Sequence, residues 1–239
     1  MTSEGLAMTI VREGVTMDIK EFVCREKKRG DCYRLLSACF YQPEKEVFLQ
    51  EGLFENLASL LKEVSPEASI FAAEMQKVFL ISGEVDLNVD YAKLFVGPNE
   101  LLAPPYGSVY LDGERRVMGD STMEVIKMYE EQGLSIDREF RNLPDHITAE
   151  LEFMHYLIFR EIEAIERSDI AAALNFIKVQ ELFLNRFLKQ WIQPFCNKMR
   201  EGANSGFYRS LADCTLAFIN NFLPGDILPE ELLNANAQV

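Results

Sequence analysis

The spacing of apolar residues between positions 144 and 167 constrains this chain most. Ile147, Leu151, Met154, Ile158, Ile162 and Ile165 follow one another in steps of three and four. Such steps line up on one face of a helix with 3.6 residues per turn, so the segment reads as a long amphipathic helix from Pro144 to about Arg167. The rhythm returns after Ser168 and Asp169, either of which suits a cap. Leu174, Ile177, Leu184, Leu188 and Trp191 make one stripe, and Phe176, Phe183 and Phe187 make a second beside it. So wide an arc predicts a central, largely buried helix, kinked or ended by Pro194.

Helical signals run through most of the remaining chain. Lys20 to Tyr41 reads as a helix with Gly30 as its weak point. Pro43 suits the first turn of a second helix, whose middle is weakened by Gly52. Ser65-Pro66-Glu67 predicts the start of a third, with serine as cap and proline in the first turn, running to about Ile81 before Gly83. Asp90 to Phe95 forms a short helical piece. Ser121-x-x-Glu124 has the spacing of a capping box, and its helix stops at Gly133. A last helix carries Phe207, Leu211, Cys214, Phe218 and Phe222. With no alternating run and no repeat, the expected fold is all-α, one globular domain of roughly eight to ten helices. Residues 1–17 read as a weakly structured extension, 18–239 as the domain, and Leu134 to Leu143 as a connector and possible hinge.

One stretch breaks this pattern. Between Gly97 and Gly119 stand Pro98, Pro104, Pro105, Gly107 and Gly113, interleaved with Tyr106 and Tyr110. Prolines and glycines at that density predict a long extended loop rich in proline and tyrosine. Aromatics on an extended backbone suit the gripping of another peptide.

Charge narrows the partners. The 239 residues hold 24 basic and 38 acidic side chains, a formal net charge of −14. Nucleic acid is repelled by such a surface, and a basic peptide is drawn to it. The five cysteines include no C-x-x-C pair, which points to reduced thiols and away from zinc. No apolar run approaches the length of a membrane span, and the N-terminus lacks a signal-peptide core, so a cytoplasmic protein is expected.

The two histidines are the first candidates for chemistry. Glu152-x-x-His155 has the spacing of a di-iron helix, but the second Glu-x-x-His is missing. His146 and His155 are nine apart, on opposite sides of a helix, and do not converge on one ion. His155 reads as a partly exposed helix histidine. Asp145 is expected to accept backbone N–H groups at the helix start and to orient His146. A helical metal-dependent hydrolase built on Asp145, His146 and Glu150 stays open as an alternative, although no G-x-S-x-G surrounds Ser108, Ser121 or Thr148. A nucleotide-responsive module is the other alternative, with neither phosphate-loop signature present. The expectation is no catalytic residue and no bound metal.

The strip YAKLFVGPNELLAPPYGSVYLDG (91–113) and the segment PDHITAELEFM (144–154) together resemble the TorD/DmsD/NarJ family of molybdoenzyme assembly chaperones, over about residues 18–225. The resemblance implies a non-enzymatic cytoplasmic chaperone. Its partner would be the catalytic subunit of a molybdenum or tungsten oxidoreductase, or that subunit's twin-arginine signal peptide, held until the pterin cofactor is inserted. It also implies no cofactor of its own beyond weak or irregular GTP binding, no nucleic acid, no membrane insertion, and a monomer or domain-swapped dimer. By motif, the peptide site takes Tyr91, Phe95, Pro104, Pro105, Tyr106, Ser108 and Tyr110 from the first stretch. From the second it takes Pro144, Asp145, His146, Glu150 and Phe153. The branches serving trimethylamine-oxide and dimethyl-sulfoxide reductases tend to carry Glu or Gln before the proline and a residue between Pro and Asp. Here Leu143 precedes Pro144, and Asp145 follows it directly.

Overall fold

The computed structural model describes residues 17–98, 100–113, 117–135, 142–221, 228, 229 and 232. Eleven α-helices and two π turns account for most of them: α1 (Ile19–Ala38), α2 (Lys45–Gln50), α3 (Leu53–Val64), α4 (Pro66–Ile81), α5 (Glu84–Tyr91), a π turn (Ala92–Val96), α6 (Ser108–Leu111), α7 (Asp120–Glu131), α8 (Ile147–Glu166), α9 (Ile170–Phe183), a π turn (Leu184–Leu188), α10 (Lys189–Gly202) and α11 (Gly206–Asn220). The fold is all-α, as the apolar spacing requires. The extension expected over 1–17 lies outside the described residues except for Met17, and so does most of the connector expected over 134–143. Among the described residues no helix is long and apolar enough to cross a membrane.

The packing follows the stripes. Helix α8 lies against α1 on one side and α9 on the other, while α4 fills the space between α3 and α11. Every member of the 147-to-165 stripe is buried. Phe54 and Phe79, at a centroid distance of 4.7 Å, pack on Phe207 and tie α3, α4 and α11 together.

Four local expectations change. Gly30 does not weaken α1, which runs through it. A side chain there would start 3.2 Å from Ile158 Cγ2, so the missing Cβ lets α1 and α8 approach closely. The same contact engages His155, whose Nδ1 donates to the Gly30 carbonyl at 2.9 Å. Gly52 takes a left-handed φ of 59° and divides the expected second helix into α2 and α3. Neither serine caps its helix by side chain. Ser65 accepts from Asn221 Nδ2 at 3.1 Å, and Ser121 bonds Asp112, with α7 starting one residue earlier. Helix α10 also passes through Pro194, because the buried Trp191, Ile192, Phe195 and Cys196 hold both flanks in place. Tertiary packing overrides the local penalty.

A buried polar cluster joins α1, α8 and α9, and no sequence pattern announced it. Arg29 Nε donates to both oxygens of Glu26, at 3.0 and 2.9 Å, and its Nη2 donates to Gln180. Gln180 Nε2 in turn donates to Glu161 Oε2 at 2.7 Å. All four side chains are buried. Burial, with the Glu26 charge behind it, pushes the Glu161 carboxyl up from 4.5 to about 8, and Arg29 only partly offsets this. A raised folded value means that the native state keeps a proton the unfolded chain has lost. That stability is fully present below pH 4.5 and is lost as pH rises through about 8. The Glu161→Gln variant should therefore lose less stability than wild type across that window in urea titrations. Parallel pH profiles for the two proteins would remove Glu161 from this role.

Candidate peptide site at the bridge between two motifs

The proline-tyrosine stretch is not one free extended loop. Leu102 and Ala103 donate backbone N–H groups to the Lys93 and Leu94 carbonyls of the π turn, at 3.1 and 3.0 Å. Tyr106 makes an isolated antiparallel bridge with His146. The Gly107 N–H donates to the Asp145 carbonyl, and the Ile147 N–H to the Pro105 carbonyl, both at 2.9 Å. The chain then enters the single helical turn α6. The pairing across 40 residues satisfies backbone groups that proline-rich sequence cannot satisfy within itself.

His146, and not Asp145, caps α8, while Asp145 accepts a backbone N–H from another segment and does not orient the imidazole. Asp145, 1% exposed, reaches across the bridge, and its Oδ2 accepts the Ser108 backbone N–H at 2.8 Å. His146 is the N-cap of α8, with Nδ1 accepting the Thr148 N–H at 3.2 Å and lying 2.7 Å from Thr148 Oγ1. Burial lowers this imidazole to about 4, so it stays neutral near pH 7. Its ring meets Tyr106 edge-on, 5.3 Å between centroids.

Glu150 and Trp191 form the floor. Glu150 is fully buried and accepts from Trp191 Nε1 at 3.0 Å, and burial pushes its carboxyl well above the ordinary range. Tyr110 stacks on Trp191 and donates its hydroxyl to the Pro104 carbonyl at 2.9 Å. Tyr129 donates to the Pro144 carbonyl at 3.0 Å.

The twelve residues proposed from the motifs therefore separate by depth. Tyr91, Pro104, Tyr106 and Tyr110 keep part of their surface in solvent. Phe95, Pro105, Ser108, Pro144, Asp145, His146, Glu150 and Phe153 are buried. Phe153 packs on Tyr129 and Phe183, and Phe95 on Phe40 and Tyr208, so both face the core. Three of the half-buried members, Pro104, Tyr106 and Tyr110, wall a hollow of about 260 Å³ with Val109, and Glu100 and Lys198 also line it, while Tyr91 lies outside it. Sequence reasoning missed Val109, Glu100 and Lys198. The first two stand inside the quoted strip, but Lys198 comes from α10 and carried no signal.

Nothing in this geometry builds the hydrolase alternative. His146 Nδ1 faces Thr148 and not Asp145, and the Asp145 carboxylate is engaged by a backbone N–H. Among the described residues no three metal-binding side chains converge.

A family model described as nitrate reductase delta subunit matches residues 57–197, which include both motifs. The chain belongs to that family. It is the TorD/DmsD/NarJ group of molybdoenzyme assembly chaperones, as the motifs implied, and it is not a family of enzymes. A chaperone protein TorD from Vibrio parahaemolyticus serotype O3:K6 is 26% identical, over 84% of this chain and 94% of its own. Another TorD chaperone, from Shewanella sp. strain ANA-3, is 28% identical over 80% and 90% of the two chains. A crystal structure of a putative redox enzyme maturation protein from Archaeoglobus fulgidus is 20% identical, with a TM-score of 0.49 over 89% of this chain and 98% of its own.

In this member of the TorD/DmsD/NarJ family, the tightest point under the bridge is Gly107. A Cβ there would sit 3.1 Å from both Glu150 Oε1 and Trp191 Nε1. Both neighbours are buried and hydrogen-bonded, so neither yields freely. Gly107→Ala should destabilise the fold by about 1–3 kcal/mol, read as a lowered midpoint of denaturant unfolding. An unchanged midpoint would show that the floor relaxes at no cost.

Proposed function

We propose that this chain is a cytoplasmic chaperone that binds the twin-arginine signal peptide of a molybdenum or tungsten oxidoreductase subunit. It holds that subunit until cofactor insertion is complete and it is exported or assembled. The carrying observation is the hollow between Tyr106 and Tyr110, whose aromatic walls are fixed from behind by buried motif residues. Family membership supports the client class. The chaperone needs no cofactor for this task, since the pterin belongs to the client.

The physics of the hollow fits such a ligand. Its walls are mainly apolar, with Glu100 and Lys198 both on the lining. The apolar middle of a signal peptide suits such walls. The overall charge of −14 speeds and orients encounter, while aromatic burial supplies most of the affinity.

Among the proposed site residues, Pro104, Tyr106 and Tyr110 make contact, the buried eight set the shape, and Tyr91 stands outside the hollow. Tyr106 is the sharpest probe, because its ring reaches the hollow while its backbone holds the bridge. Tyr106→Ala should weaken binding of a synthetic peptide with two adjacent arginines and an apolar run by about tenfold or more. Tyr106→Phe should retain most of the affinity. Circular dichroism confirms the fold of each variant. Calorimetry giving Tyr106→Ala the wild-type affinity would move the site elsewhere.

A further inference from the structure

A further wall of the Tyr106 hollow comes from the segment that leads into α7. Val117 lines the hollow with Tyr106 and Tyr110, although it lies beyond the end of the first motif. One carboxylate holds this segment. Asp112 ends α6, and both of its oxygens accept the Ser121 backbone N–H, each at 3.2 Å. Its Oδ2 also accepts the Ser121 hydroxyl at 2.8 Å. Ser121 is the second residue of α7, so Asp112 caps that helix from outside and faces the positive end of its dipole. The clasp is tight. A Cβ at Gly119 would sit 2.1 Å from Asp112 Oδ2 and 2.8 Å from its Cγ. The adjacent Met118 takes a φ of 59°, in the left-handed region that a side chain disfavours. Its side chain is largely exposed, so packing of that side chain does not account for the conformation. Such strain persists only where the surroundings over-determine it. Here the clasp holds one end of the segment against the start of α7.

We propose that Asp112 is a positioning residue for ligand binding at the Tyr106 hollow, acting through Val117, whose place its clasp on Ser121 sets. The inference rests on the function proposed above and deepens it by naming what fixes one wall of the hollow. Three features of the segment serve that role together: the doubly bonded Ser121, the close approach at Gly119 and the left-handed Met118. Each lies within four residues of Val117. A valine is stiff about its first side-chain torsion, so fixing the backbone also fixes the apolar surface it presents. A wall set before the ligand arrives needs no ordering on binding, and that saving appears as affinity. Tyr106 and Tyr110 are held from behind by the bridge and by Trp191, whereas Val117 is held by the clasp.

A double-mutant cycle on the full chain tests this, with affinity for a synthetic peptide of two adjacent arginines and an apolar run read by calorimetry. Asp112→Ala and Val117→Ala should each weaken binding about fivefold. If Asp112 acts through Val117, the double variant should also lose about fivefold, and not the roughly 25-fold of independent effects. Asp112→Asn keeps an acceptor oxygen for Ser121 and should bind within about twofold of wild type. Gly119→Ala breaks the clasp from the other side and should reproduce the fivefold loss, which keeps the test intact if Asp112→Ala does not fold. Circular dichroism checks each variant. Wild-type affinity in a folded clasp variant, with Tyr106→Ala still weakened, overturns the inference and leaves the Tyr106 reading standing. Independent losses in the double variant would give the clasp a general structural role and also overturn it. If the wild-type chain binds no such peptide, both readings fall.

Discussion

The carboxylate of Asp145 accepting the Ser108 backbone N–H fixes the relation between the two halves of the site. Ser108 opens α6, and Asp145 sits just before α8, so one bond joins segments 37 residues apart. The two backbone bonds of the Tyr106–His146 bridge lie beside it and share its geometry. A charged acceptor in a dry setting makes a stronger bond than a neutral one, and its removal leaves a buried N–H without a partner. The tyrosines at the surface inherit their positions from this contact. Tyr106 is carried on the bridge itself, and Tyr110 stands one helical turn beyond it, held against Trp191.

Two groups behind the walls, His146 and Glu150, are buried where the neutral form is favoured. His146 is lowered to about 4 and serves as a neutral cap. Glu150 is raised, so the neutral carboxyl is favoured there. The imidazole of His146 therefore stays neutral near pH 7, and the cap it forms presents the same surface across that range. Local charge comes instead from exposed residues, among them Glu84 and Lys93. Fixed apolar shape and tunable surface charge therefore reside in different layers. The buried Arg29 cluster lies apart from both, where it joins α1 to α8 and α9.

The helices were legible because burial imposes a period, and α8 shows this best. Its six stripe residues were predicted to share a face, and all are buried. What failed to read was any feature settled by a distant neighbour. Gly30 looks like a helix defect until α8 is placed against it, and Pro194 looks like a break until its flanks are seen to be packed. Ser121 has the spacing of a cap, but Asp112 competes for it across the entry to α7. The motif residues were legible as a group and illegible in depth. No sequence spacing told that Ser108 and Glu150 are fully buried while Tyr106 reaches a hollow. Lys198 escaped notice because only the fold brings α10 to that opening.

That separation by depth bears on how a chaperone of this kind could serve one client and not another. Substitutions at Asp145, His146 or Glu150 act on the walls as a whole, since each is tied into the bridge or its floor. They alter shape and stability together and offer little room for adjusting affinity alone. The exposed layer is free of that coupling. Val109, Glu100 and Lys198 line the opening without holding the bridge, and the valines of α5, Val85 and Val89, are exposed. Specificity needs positions whose change alters one partner's fit and leaves the scaffold intact. In this fold those positions are the ones that do not hold the bridge, whether inside the first motif, as Val109 and Glu100 are, or outside both, as Lys198 is.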